Sequence, residues 1–232
     1  MRNLIFEAES NSVSLNFLKE ASEVTNSLSD NVKYCVIADA KVLSMHPSFK
    51  NQLLEKNCSI FEINEPEKQK NIETFSEIIA FMQKNNMNRN DCLIGFGGGA
   101  VTDLTGFVAS SYMRGIKYFQ IPTSLLAQVD ASIGGKTGIN FGHIKNFVGS
   151  FYNPTQVFIC AAFLKTLNDQ EFLNGFSEVI KHSIITSKES LEELKSTSQK
   201  SLVKDTDTLL KCIEETIQIK AQIVAEDFKE KG

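Results

Sequence analysis

The sequence predicts an α/β protein whose first two-thirds form a mostly parallel sheet with helices on its faces, followed by a helical region. Three observations carry this. Short apolar runs alternate with helix-length segments up to about residue 160. One of those runs, Leu93 to Phe96, enters the glycine triplet Gly97, Gly98 and Gly99, which opens a helix. After Cys160 strand-like runs give way to helical spacing.

Taken in order, Ser14 to Leu28 has helical spacing, and Tyr34 to Ala38 is a short apolar strand ending at Asp39. Ser59 to Ile63 reads as another strand. Glu67 to Asn86 is expected to be one helix, with Ile72, Phe75, Ile79 and Met82 on a stripe. Ala100 to Met113 is a helix, and Lys117 to Ile121 a strand closed by Pro122. Beyond the boundary, Asp169 to Ile185 and Glu189 to Ser198 are helical. Asp207 to Phe228 reads as one long helix capped by Asp205 or Thr206. Its apolar stripe of Leu210, Ile213, Ile217 and Val224 expects packing partners, some of them past the end of this sequence.

The 232 residues suffice for one large domain or two modest ones. A net charge of −4 gives no field for nucleic acid or an anionic membrane, so a phosphorylated ligand needs a local basic pocket. The five cysteines are scattered with no CxxC pair, which suits reduced thiols in a cytoplasmic protein. The start, MRNLIFEAES, has acidic residues where a signal peptide needs an apolar core. No apolar run is long enough to span a bilayer.

Glycines between a strand and a helix let a ligand approach the backbone, and the free amides at the helix start attract phosphate. The triplet therefore reads either as a nucleotide turn or as a tight turn without a ligand. Asp39, at a strand end, is either a ribose acceptor or a turn cap. The segment RGIKYFQIPTSLLAQVDASIGGKTGINFGHIKN interleaves polar and apolar residues. It gathers Arg114, Thr123, Ser124, Asp130, Ser132, Lys136, Lys145 and Asn146, a set suited to a phosphate and polyol ligand or to a polar surface loop. In GFSEVIKHS, Glu178 and His182 are four apart, so both could reach one metal; the alternative is a solvated face with a helix ion pair. That face is expected to lie away from the apolar one of Phe172, Phe176, Val179 and Ile180. Lys220 falls on the apolar stripe of the last helix, where it either meets an anion or snorkels outward. The three histidines, His46, His143 and His182, form no recognisable metal cluster.

The run from GGGAVTDLTGF through VDASIGGKTGIN, then KNFVGSFYNP, LKTL and GFSEVIKH, resembles the 3-dehydroquinate synthases in order and spacing over nearly the whole chain. The resemblance implies a Rossmann-like NAD-binding domain over residues 1–160 and an all-helical substrate and metal domain over residues 161–232. It also implies NAD, a zinc or cobalt ion, a small phosphorylated sugar-acid substrate, a homodimer, and no nucleic-acid or membrane partner. By the same resemblance, Asp39, Glu67, Lys70, Gly97, Gly98, Gly99, Asp103, Thr123, Ser124, Lys145, Thr166 and Leu167 contact the cofactor. Asp130, Lys136, Asn146, Lys181 and Lys220 bind the substrate, and Arg114 reaches the neighbouring subunit's phosphate pocket. Glu178 matches the first metal ligand, which sets His182 aside. Ile144 stands where the family has glycine, and Cys160 where aspartate is common. Two further zinc-ligating histidines are expected in an HxxxH-like segment past Gly232. The chain is therefore expected to be C-terminally incomplete and to bind NAD with little turnover. The rival readings are a sister cyclase making an inosose or valiolone ring, a metal-dependent alcohol dehydrogenase of the glycerol type, and an NAD-binding chain without activity.

Overall fold

The computed structural model describes residues 2–8, 11–198 and 206–226. The chain begins with an antiparallel hairpin, β1 (Arg2–Ala8) and β2 (Asn11–Leu18), followed by α1 (Ala21–Asn26). Then come β3 (Tyr34–Asp39), α2 (Ala40–Met45), α3 (Pro47–Glu55) and β4 (Ser59–Ile63). Next are α4 (Pro66–Gln69), α5 (Ile72–Lys84), β5 (Cys92–Gly97), α6 (Gly99–Ser111) and β6 (Lys117–Pro122). A second hairpin, β7 (Lys136–Phe141) and β8 (Ile144–Phe151), precedes β9 (Gln156–Cys160). The rest is helical: α7 (Asp169–Thr186), α8 (Lys188–Ser198) and α9 (Thr206–Glu226).

The main sheet has the order β1-β2-β9-β6-β5-β3-β4, with only β1 antiparallel. Helices cover both faces, so β5 and nearly all of β3 are buried along their length, as a parallel sheet requires. Chain order reverses direction between β3 and β5. A crevice opens there at the carboxyl ends of the strands, the usual ligand position in such sheets.

Two expectations fail at the level of elements. Ser14 to Leu18 is strand, not helix: Val13, Leu15 and Phe17 alternate into the core while the backbone pairs with β1 and β9. Only Ala21–Asn26 of that stretch is helical. The single helix expected over 67–86 breaks at Lys70 and Asn71, because Asn71 caps a new helix by accepting from Thr74 N at 2.9 Å. The buried stripe then runs through Thr74, Ile78 and Met82, and Ile72 is exposed. β1, α2, α3, β8 and β9 fall where the sequence led to no expected element, and the basic segment after residue 114 contains a π-helical turn, Ala127–Ala131, as well as β7. Helix α9 starts at Thr206; Asp205 and Phe228 lie outside the described residues.

One apolar cluster joins the β1–β2 hairpin to the helical region through Leu15, Ile159, Val129, Val179, Ile213 and Ile217. Two others fill the opposite faces of the sheet. All five cysteines are reduced and buried. Burial pushes the thiols of Cys58 and Cys212 up to about 11 and those of Cys35 and Cys160 to about 12. Among the described residues no helix is long and apolar enough to cross a membrane.

Candidate active site

The carboxyl ends of four parallel strands bring the first group of expected residues together. Asp39 ends β3, Gly97 ends β5, Thr123 and Ser124 follow β6, and Thr166 and Leu167 follow β9 in and after a 3-10 helix, Ala161–Thr166. Asp39 caps α2, its carboxylate accepting from Val42 N at 3.1 Å. Thr123 N donates to Gly97 O at 2.9 Å, which locks the start of the β6 loop beside the glycine turn.

The glycines differ in what requires them. A Cβ on Gly97 would lie 2.6 Å from Val101, so packing against the first turn of α6 excludes a side chain. On Gly98 the nearest atom would be Ser124 Oγ at 3.6 Å, and on Gly99 it would be Ala131 Cβ at 3.4 Å, both ordinary contacts. The protein's own atoms therefore do not demand glycine at 98 and 99. Gly98 caps α6 with no side chain spent on the helix-start amides. An open, bare helix start of this kind fits the phosphates of a dinucleotide.

Two charged clusters flank this turn. In one, Lys70 is only 4% exposed; its Nζ donates to Asp103 Oδ2 at 2.8 Å and to Asn146 Oδ1 at 2.5 Å. Asn146 adopts a left-handed conformation, φ 53°, held by its N–H donating to Asn140 Oδ1 at 3.0 Å, while Asn140 N donates to Lys70 O at 2.8 Å. Burial raises the Asp103 carboxyl above its usual range, and the Lys70 charge opposes that. Beside it is a cavity of about 280 Å³ lined by Asp103, Lys136, Thr137, Asn146, Ser150 and Phe151. Glu67 and Lys145 form an exposed ion pair at 2.8 Å.

The second cluster lies where α7 and α9 meet the π-helical turn, whose last residue, Ala131, faces Gly99. Asp130 in that turn pairs with Lys220 of α9 at 2.9 Å. The lysine on the apolar stripe therefore does meet an anion. On α7, Glu178 pairs with Lys181 one turn on. His182 is 2% exposed, which corrects the expectation that it lies away from the buried face of its helix. The ligand atoms of Asp130, Glu178 and His182 all lie within 4.8 Å of one another. His182 Nδ1 is buried without a hydrogen-bond partner, and Glu178 Oε2 has the Lys181 ammonium against it but no well-directed hydrogen bond. Burial, then the Lys181 charge, holds the His182 imidazole below its ordinary value, and the nearby Asp130 opposes this. Two carboxylates and a neutral imidazole form a donor set that fits a divalent cation such as zinc or cobalt.

Arg114 is the expected residue that the chain does not bring to this edge. It precedes β6, so the length of that strand separates it from the glycine turn. Met113, Arg114 and Gly115 all have positive φ, and the turn presents Arg114 to solvent.

The sequence profile of the 3-dehydroquinate synthase N-terminal region matches residues 60–174, and that of its C-terminal region matches residues 175–232. The chain belongs to the 3-dehydroquinate synthase family. Family members named 3-dehydroquinate synthase include one from Clostridium tetani, 41% identical over 88% of this chain and 55% of that protein. Another, from Aliivibrio fischeri, is 43% identical over 77% of this chain and 49% of its own length. The chain thus spans about half the length of the 3-dehydroquinate synthases it matches. Among solved structures, a 2-epi-5-epi-valiolone synthase from Streptomyces hygroscopicus subsp. jinggangensis, determined with NAD+ and Zn2+, superposes with a TM-score of 0.83 at 26% identity, covering 100% of this chain and 66% of that one. A 2-deoxy-scyllo-inosose synthase shares the fold at a TM-score of 0.87 and 21% identity, covering 99% of this chain and 65% of that one.

Proposed function

We propose that this chain carries the cofactor site and part of the substrate site of a 3-dehydroquinate synthase. That enzyme converts 3-deoxy-D-arabino-heptulosonate 7-phosphate to 3-dehydroquinate and phosphate in aromatic amino acid biosynthesis. In this reading residues 1–160 bind NAD, residues 161–232 contribute to substrate and metal binding, and the working enzyme is a cytoplasmic homodimer in which Arg114 serves the partner subunit. The observation that carries it is the meeting of Asp130, Glu178, Lys181, His182 and Lys220 beside the open glycine turn, in a chain of this family.

When bound, NAD supplies a reversible hydride acceptor, and a zinc or cobalt ion held by Glu178 with Asp130 and His182 beside it supplies a Lewis acid for the hydroxyl being oxidised. The protein's own groups do the positioning. Gly98 and Gly99 admit the pyrophosphate to the start of α6, and Asp39, Thr123, Ser124, Thr166 and Leu167 line the strand ends for the rest of the cofactor. Lys70 is pinned by Asp103 and Asn146, so its charge is already in place for the nicotinamide end, with Glu67 and Lys145 at the rim. Lys220 and Lys181, each held by a carboxylate, offer their remaining N–H donors to the substrate's anionic groups without reorganisation. Lys136 and Asn146 face the same cavity and suit the phosphate and hydroxyls.

The test is phosphate release by the purified chain given NAD+, Zn2+ and the heptulosonate phosphate, with a carboxylate-free sugar phosphate as comparator. Release from the first substrate alone supports the reading. Release from the comparator alone moves the chain to a sister cyclase. NAD+ binding without turnover leaves the cofactor site standing and removes the activity from this chain.

A further inference from the structure

His46 is used by nothing described above, yet it stands at the carboxyl edge of the sheet. It is half-buried at the corner between α2 and α3, its own N–H donating to Leu43 O at 3.1 Å. Its Nε2 lies 3.0 Å from Thr166 Oγ1. Its ring stands edge-on to Phe163, with centroids 5.1 Å apart at 89°, and to Phe96, 6.5 Å apart at 88°. Phe96 immediately precedes Gly97 in β5, and Phe163 and Thr166 share the 3-10 helix after β9. Phe49, Phe96 and Phe163 pack mutually at 5.0–5.1 Å beneath the imidazole. One side chain thus ties together the ends of three strands: β3 through α2, β5 through Phe96, and β9 through Thr166.

The tautomer of His46 decides which atom donates in this contact. A threonine hydroxyl has one hydrogen and two lone pairs. Both of its contacts are hydrogen bonds in one arrangement, in which the hydroxyl hydrogen goes to Phe163 O, 3.2 Å away, because a carbonyl oxygen can only accept. In that arrangement Thr166 Oγ1 accepts from His46, and the ring hydrogen sits on Nε2. One lone pair of the hydroxyl is left for a further donor.

We propose that His46 is a positioning residue of the nucleotide site: its Nε2–H orients the Thr166 hydroxyl as an acceptor for a hydroxyl or amino donor on the adenosine half of NAD. It also anchors the Thr166–Leu167 turn on the aromatic cluster. This rests on the reading of Thr166 and Leu167 as cofactor contacts.

The test measures NAD+ affinity by titration calorimetry on the full chain, with melting temperatures recorded alongside. His46→Ala is expected to weaken NAD+ binding about fivefold to tenfold, the loss associated with one oriented hydrogen bond. His46→Gln, whose amide can still donate, recovers most of that. In a Thr166→Val background, His46→Ala costs no further affinity, although each change still lowers the melting temperature. A merely structural histidine would weaken binding equally in both backgrounds, and that result overturns the proposal, as does unchanged affinity in His46→Ala. Imidazole 15N shifts provide a readout independent of the cofactor: they are expected to show the Nε2–H tautomer, and the Nδ1–H tautomer overturns the assignment. A wild-type chain that fails to bind NAD+ would instead overturn the cofactor reading, while the tautomer measurement still tests the contact.

Discussion

Lys70 shows how much a single position can carry. A lysine ammonium with 4% exposure is tolerable only because Asp103 and Asn146 take its hydrogens. Lys70→Met leaves the half-buried Asp103 carboxylate unpaired and is expected to cost up to about 3–5 kcal/mol in urea unfolding. Replacing both partners, Lys70→Met with Asp103→Leu, should recover a large part of that, since neither charge is then stranded. NAD+ affinity should stay impaired in the double variant. At His182 the prediction concerns metal. Zn2+ that binds only the folded chain should raise its melting temperature, by an amount equivalent to roughly 2.7 kcal/mol at about a hundred times the dissociation constant. Glu178→Gln and His182→Ala should each abolish most of that rise, whereas Lys181→Met, which takes a competing cation away from Glu178, should preserve it. Spacing alone pairs Glu178 with His182, and the family resemblance sets the histidine aside. Burial with Nδ1 unpartnered brings it back into consideration, and burial is a property of tertiary packing that no local spacing records.

At the scale of elements, the β5–α6 turn separates two uses of glycine. Gly97→Ala drives a methyl against the rigid, branched Val101 and is expected to destabilise the fold by about 1–3 kcal/mol. Gly98 has φ −75°, which any residue adopts, and room for a Cβ. Gly98→Ala should therefore melt within about 0.5 kcal/mol of wild type yet bind NAD+ roughly tenfold more weakly. Equal losses of stability in the two variants would refute the distinction. The parallel strands β3 to β6 were legible, β3 and β5 because burial on both faces leaves continuous apolar runs, whereas the equally central β9 was not. β2 was misread because Phe17, Ala21, Val24 and Leu28 recur at helical spacing across its end and mask the alternation of Val13, Leu15 and Phe17. The pairing with β9, about 140 residues away, decides between them. The break at Asn71 was lost for a different reason. Periodicity runs across it, and only the cap geometry marks the new start.

For the molecule as a whole, the helical region is not an appendage. Ile213 and Ile217 of α9 and Val179 of α7 share one apolar cluster with Leu15 and Phe17 of the first hairpin. Ile217→Ala should cost about 2–5 kcal/mol and lower the unfolding midpoint equally whether followed by helix signal or by the aromatic environment of the sheet. Separate transitions would show that the two regions unfold independently. The change of pattern near residue 160 was legible as a change of secondary structure. That the N-terminal hairpin would pack against the last helix was not, because contacts between the ends of a chain leave no periodic trace in either.

The buried cysteines have a practical corollary. Burial holds their thiols in protonated form, so the folded chain is expected to react slowly with thiol reagents at neutral pH. A cysteine introduced at exposed Met113, next to Arg114, should be the one site that a maleimide dye labels in the native state. A fluorophore there could watch the edge proposed to serve a second subunit while the natural thiols stay in place, and labelling of the unmodified chain at the same rate would show that the core opens more readily than its packing implies.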